Sequence, residues 1–265
     1  MLLWSKRSRA VLLGIFAIVV FVVFVAPLAT VVFAGLAGSW TGALPSELGF
    51  GHFDEALSGE NLASLSVSLQ TAFVSGAIAL VLGTWAALAA REAPGWLSRV
   101  TDAVFHLPIA VPSVAIGLGL LIAFNSQPLL LGGTRWIVIL AHAVLVLAFS
   151  FSAVSAALDR LDPAYRQAAE SLGAGPVRVL VRITLPLLLP ALGAAAGLAV
   201  ALSMGELGAT VMVYPATWKT LPVTIFALTD RGQAFQAAAC TAILLLVTLL
   251  ALVLLGRIRG RAVPR

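Results

Sequence analysis

The sequence predicts an all-α polytopic membrane protein with six transmembrane helices. Three observations lead there. The 265 residues are 61% hydrophobic and only 10% charged, whereas a soluble domain is about 25% charged. The apolar residues gather in six blocks, each near the roughly 20 residues that a hydrocarbon core of ~30 Å requires of a helix. The basic residues sort by loop, thirteen on one side of the spans and three on the other.

The blocks are 10–33, 65–90, 103–124, 136–158, 187–213 and 237–256. Five contain no Asp, Glu, Lys or Arg; the fifth contains Glu206. No polar stretch is left that is long enough for a soluble domain, so residues 1–265 read as a single transmembrane domain. Lys6, Arg7, Arg9, Arg91, Arg99, Arg160, Arg166, Arg178, Arg182, Arg257, Arg259, Arg261 and Arg265 share one side; Arg135, Lys219 and Arg231 share the other. Cytoplasmic loops carry an excess of Lys and Arg. Both termini and the loop between the fourth and fifth spans therefore read as cytoplasmic. The net charge of +5 reports this orientation and not nucleic-acid binding. Trp4 and Trp96 flank inner span ends, and Trp40, Trp136 and Trp218 flank outer ones, as an interfacial aromatic belt does.

The first span follows a basic stretch, as in a secretory signal. It is too long for a signal core and lacks a clear cleavage site, so it reads as a retained helix. The first loop, 34–64, is external, acidic and too short for a domain. The third span holds Pro108 and Pro112, and proline kinks a helix by removing a donor; the expectation is a fixed bend, with a hinge as the alternative. The fifth span carries small residues four apart, Gly193, Gly197, Ala201, Gly205 and Ala209. Such stripes allow close backbone approach in lipid and mark this span as central to the bundle.

Glu206 is the one ionisable acid inside a span. Intramembrane carboxylates are costly and face a cavity or a partner. Three roles fit: a structural hydrogen-bonding group, a contact on a substrate path, or a proton carrier. Ser150, Ser152, Ser155 and Ser203 are further candidates for lining such a path. His106 and His142 stand alone in apolar surroundings and read as packing residues, and His52 carries no signal. No residues have metal-ligand spacing, so no metal site is expected. Cys240, the only cysteine, excludes an internal disulfide and a Cys-based metal cluster. A membrane-embedded enzyme needs a nucleophile–base pair or a metal, and neither is present in the sequence.

The cytoplasmic loop 159–186 is the polar element between two long apolar spans. Asp162 before Pro163 starts a helix, as a capping carboxylate followed by proline at the first helical position. Arg166 and Glu170 are spaced to pair on its exposed face, with Ala164, Ala168 and Leu172 on another. Gly173 or Gly175 ends it, since glycine suits a left-handed stop. Pro176 opens a second short helix through Arg182, and Pro186 begins the fifth span. Both helices are expected to lie parallel to the membrane surface. The small alanine face suits a partner's cleft; lying on lipid headgroups is the equal alternative.

The string Gln167-Ala168-Ala169-Glu170-Ser171-Leu172-Gly173, nine residues, then Ile183-Thr184-Leu185-Pro186 resembles the motif of ATP-binding-cassette importer permeases. It matches at Ala168, Ala169, Gly173, Ile183, Leu185 and Pro186, and departs at Gln167, where the family has Glu. The resemblance implies a type I importer permease fold whose loop forms coupling helices docked on a nucleotide-binding subunit. It also implies an ATPase dimer as partner, a second homologous permease subunit in a heterodimer or homodimer, an external solute-binding protein, and residence in the bacterial inner membrane. Ser203 to Thr210, Tyr214-Pro215, Trp218, Thr220 to Phe226 and Leu228 to Gly232 are similar to one permease subunit of 2-aminoethylphosphonate importers. So are Met1-Leu2, Trp4-Ser5, Trp85 to Ala89, Trp136 to Val138 and Ala141-His142. The Gly-Glu-x-Gly-Ala-Thr core also resembles sulfate, molybdate, ferric iron and polyamine permeases.

The chain has no phosphate loop of the Gly-x4-Gly-Lys type, its only lysines being Lys6 and Lys219. No cofactor is expected on this chain. ATP and Mg2+ belong to the partner, which the loop would couple to the spans. A carrier driven by an ion gradient, with Glu206 as proton site, is the competing class.

Overall fold

The computed structural model describes residues 6–260 except 43. Met1, Leu2, Trp4, Ser5, Arg261 and Arg265, used above, lie outside the described residues. The fold is helical. In order it contains α1 (Lys6–Val20), a π turn (Phe21–Val25), α2 (Ala26–Leu36), β1 (Ala37–Ser39), β2 (Ser46–Leu48), α3 (Gly51–Ala56), α4 (Gly59–Glu92), α5 (Gly95–Ala110) and α6 (Ser113–Ala123). Then follow α7 (Arg135–Asp159), α8 (Pro163–Ser171), α9 (Pro176–Val179), a second π turn (Leu180–Thr184), α10 (Leu185–Met204), α11 (Gly208–Val213), α12 (Leu221–Asp230) and α13 (Ala234–Gly260).

Among the described residues five helices are long and apolar enough to cross a membrane: Ser8–Leu36, Gly59–Glu92, Arg135–Asp159, Pro176–Met204 and Ala234–Arg257. The third expected span is instead a bent pair, α5 and α6, meeting at 106°. The break falls at Val111 and Pro112. Pro112 has no N–H to continue α5, and the residue before a proline is pushed towards extended backbone. Val111 has φ −103° and ψ 131°. Pro108 stays inside α5 and is not the breaking residue.

The fifth span also differs from the expectation of one helix over 187–213. It begins earlier, at Pro176, and α10 stops at Met204. Both π turns have one cause. Each ends two residues before a proline, Pro27 or Pro186, whose missing donor and ring disturb the preceding turn. As a result α9 is not a separate surface helix: it runs through the π turn into α10.

Nor is the fifth span the central one. The most apolar window of α7 is 61% buried, against 28% for Pro176–Met204. Thr134 caps α7 by accepting from Trp136 N at 3.3 Å. Its inward face carries Ile137, Val138, Ala141, Phe151, Val154 and Leu158, all buried. The tight approaches come from glycines on neighbouring helices, and one of them meets the predicted stripe at Ala209. A Cβ built on Gly83 of α4 would sit 2.9 Å from Phe151 N, and one on Gly117 of α6 2.6 Å from the Ala209 carbonyl oxygen. On Gly197 it would meet only Leu252, at 3.4 Å.

The chain divides into two compact units. One comprises Met1–Leu62 and Thr224–Ile243. Within it α2 is pressed on α13, for a Cβ on Gly35 would lie 2.9 Å from Ala239 Cα. Strands β1 and β2 form an antiparallel ribbon with Ala37 opposite Leu48 and Ser39 opposite Ser46. The other unit comprises Ala63–Val223 and Leu244–Arg265 and contains α5 to α11 and the cytoplasmic loop. There Leu221 N donates to Ser68 at 2.7 Å and Trp218 Nε1 to Thr71 at 3.0 Å, pinning the chain after α11 to α4.

Candidate functional site

The loop is built as its sequence requires. Asp162 accepts from Ala164 N at 2.9 Å and Pro163 is the first residue of α8. The helix ends at Gly173, with φ +77°, and not at Gly175, whose φ is −70°. Gly173 N donates to Glu170 O at 2.9 Å and Ala174 N to Ala169 O at 3.0 Å. This pair of bonds is the Schellman stop, which needs a left-handed residue at that point. Ala169 is buried, whereas Ala164, Gln167, Ala168 and Leu172 are exposed, Leu172 to 88%.

Arg166 makes the loop's connection to the spans. Its Nε donates to Glu170 at 2.8 Å, and its Nη1 donates to Glu92, the last residue of α4. Glu170 first and then Glu92 hold the Arg166 pKa above its ordinary value. The sequence suggested the first pairing and missed the second, whose partner lies 74 residues away. Ile183 lines a cleft of 470 Å³ with Leu88, Leu158, Arg166, Val179 and Leu187. Leu185 is half-buried, and Pro186 is exposed just after the π turn.

A second cavity, of 220 Å³, lies where the helix breaks meet. Pro108, Ile109, Val111 and Ser113 from the α5–α6 break line it, with His142, Leu145, Val146 and Phe149 of α7 and Leu202, Ser203 and Glu206 of the α10–α11 break. Glu206 caps α11, its Oε1 accepting from Ala209 N at 2.7 Å. Gly208 lets α11 press on α6, since a Cβ there would clash with Ser113 Oγ. His142 ties the broken span together. Its Nδ1 bonds Ser203 Oγ at 2.7 Å and its Nε2 bonds Thr210 Oγ1 at 2.7 Å. Ser203 also meets Ser75 at 3.3 Å.

Of the five path candidates, the cavity brings together Ser203 and Glu206. Ser150 is fully buried against Gly83, and its hydroxyl has no hydrogen-bond partner among the described residues. Ser152 bonds His106 Nε2 at 2.7 Å, and Ser155 is half-buried on α7. None of these three lines the cavity. His142 was the residue sequence reasoning undervalued; its nearest signal was Ser203 and Thr210 framing the acid. Among the described residues no group of three His, Cys, Asp or Glu is placed to hold a metal.

Comparison with known proteins agrees with this architecture. The family described as binding-protein-dependent transport system inner membrane component matches residues 79–265. The chain is 47% identical over 262 residues, 98% of each chain, to PhnV of Salmonella paratyphi A, provisionally named a 2-aminoethylphosphonate transport system permease protein. The molybdenum transport system permease protein ModB of Mycobacterium bovis is 35% identical over 208 residues, 73% of this chain and 77% of that one. The fold matches a chain in the crystal structure of a bacterial alginate ABC transporter bound to its periplasmic protein, with TM-score 0.74 and 19% identity over 98% of both. ATP hydrolysis belongs to a separate subunit, so the chain is not itself an enzyme. It belongs to the binding-protein-dependent transport system inner membrane components, as a multi-pass inner-membrane permease subunit of an ATP-binding-cassette transporter.

Proposed function

We propose that this permease imports 2-aminoethylphosphonate. The observation that carries the substrate is the 47% identity over 98% of both chains to PhnV. In this reading residues 1–265 form one transmembrane domain of type I importer architecture. The bent pair counts as one of six spans, and both termini lie in the cytoplasm. An external binding protein delivers the solute, and a second homologous permease stands beside this one, as a heterodimer.

The loop 159–186 acts as the coupling element on an ATPase dimer. Supporting this, the face of Ala164, Ala168 and Leu172 is apolar and exposed. Asp162, Ala169 and Gly173 shape that face, while Arg166, Glu170, Ile183, Leu185 and Pro186 join it to α4 and α10. Gln167, also exposed, offers the partner an uncharged hydrogen-bonding group. ATP closes the motor, the loop follows, and the bundle shifts between two packings. The drive comes from the partner, so Glu206 needs no proton-carrying role. Ser203 and Glu206 belong to the solute path; Ser150, Ser152 and Ser155 sit deeper along α7.

Molybdate is the second reading, favoured by the 35% identity to ModB. Uptake of radiolabelled 2-aminoethylphosphonate by a strain lacking the gene, with and without a plasmid copy, separates the two. Restored phosphonate uptake supports the first. Restored molybdate uptake without phosphonate uptake contradicts it.

A further inference from the structure

We propose that the 220 Å³ cavity between the two helix breaks is a solute site inside this subunit, and that it takes a primary ammonium group with the free oxygen of Glu206 as its main acceptor. The proposal rests on the phosphonate reading for which solute brings the ammonium, but not for the chemistry of the site.

Both breaks open on the same space. Irregular backbone at membrane depth is tolerated where it lines a polar cavity, and discontinuous helices supply ion and solute sites with their ends. The end supplied by α5 is its C-terminal turn, through Pro108, Ile109 and Val111. The C-terminus of a helix carries roughly half a negative charge. Among the described residues the carbonyls of Pro108, Ile109 and Ala110 accept no hydrogen bond from beyond the helix, and Pro112 has no N–H to offer.

Glu206 faces this turn across the cavity. One of its oxygens is taken by Ala209 N; the other has no hydrogen bond among the described residues. The capping oxygen serves the fold, and the proposal concerns the other one. No Lys or Arg lines the cavity, and both ring nitrogens of His142 are engaged by Ser203 and Thr210. A cation therefore meets a carboxylate, the C-terminal turn of α5 and the Ser113 hydroxyl, whereas an oxyanion meets only the N-terminal turn of α6 at Ser113 and is repelled by the Glu206 carboxylate beside it. An intramembrane carboxylate is stabilised by such a partner. The volume falls below the roughly 300 Å³ at which drug-sized pockets begin, so only a small solute fits.

The test is calorimetric titration of the purified permease–ATPase complex, without binding protein, using ethylamine, 2-aminoethylphosphonate and ethylphosphonate. The two amines bind, and ethylphosphonate binds at least about tenfold more weakly, as loss of a charge-assisted contact implies. Glu206→Gln keeps an oxygen for the Ala209 cap and weakens amine binding about tenfold, leaving ethylphosphonate unchanged. Ile109→Trp, which fills the cavity from the opposite wall, abolishes amine binding independently. Absence of amine binding, equal binding of ethylphosphonate, or wild-type amine affinity in both variants overturns the proposal. Import of the phosphonate by cells whose complex shows no amine binding would remove this site alone. Import of another amine in place of the phosphonate would remove the substrate reading and leave the site.

Discussion

Arg166 of the cytoplasmic loop donates to Glu92, the last residue of α4. A helix that makes few contacts of its own is thereby tied to the inner end of a long span. Exposed ion pairs contribute only about 0–1 kcal/mol to stability, so the pair's value lies in geometry. Arg166→Ala is expected to leave the melting temperature of the complex nearly unchanged while lowering solute transported per ATP severalfold. Parallel uptake and phosphate-release assays in proteoliposomes check this.

Gly173 is held in the left-handed region to close α8. An L-residue there costs about 1–2 kcal/mol. Gly173→Ala is expected to fray the end of α8 and weaken ATPase attachment, with Gly173→Asn milder because Asn tolerates that conformation. Co-purification of ATPase with the tagged permease reads both.

His142 is buried with both nitrogens bonded. Replacing it by Leu leaves Ser203 and Thr210 without those partners in the core. The expected loss is about 2–4 kcal/mol, seen as a lower thermal midpoint in detergent.

Gly117 and Gly119 differ by two positions and in everything around them. A Cβ on Gly117 meets the backbone of Ala209, whereas one on Gly119 meets nothing within 4 Å. Gly117→Ala is expected to cost about 1–3 kcal/mol through overpacking, and Gly119→Ala to be neutral or slightly stabilising. The two melting curves, measured together, check the packing of α6 on α11.

The membrane character and the loop were legible in the sequence because their signals are local. A span is a block of apolar residues, and Asp162-Pro163 and Gly173 start and stop α8 by chemistry within one turn. The third span was legible as bent but not as two helices at 106°, since a proline announces a break and not its angle. The break after Met204 was missed because no proline marks it; its signal was Glu206, three residues before the N–H it caps. Contacts across long separations were invisible: Glu92 with Arg166, and His142 with Ser203 and Thr210, 61 and 68 residues apart. The small-residue stripe was legible only in part: Ala209 takes the close approach of Gly117, while Gly197 meets only Leu252. Spacing shows where a backbone is bare, while the partner decides which bare site is used, and α7 uses Gly83 of α4.

The central claim is that Ala164, Ala168 and Leu172 form the face on which the motor docks. Leu172 is 88% exposed, so Leu172→Glu leaves the fold of this chain intact. In purified complexes of that variant, the account expects ATPase to be lost from the tagged permease and solute uptake to fall to background. Full retention of the ATPase together with wild-type uptake would contradict it.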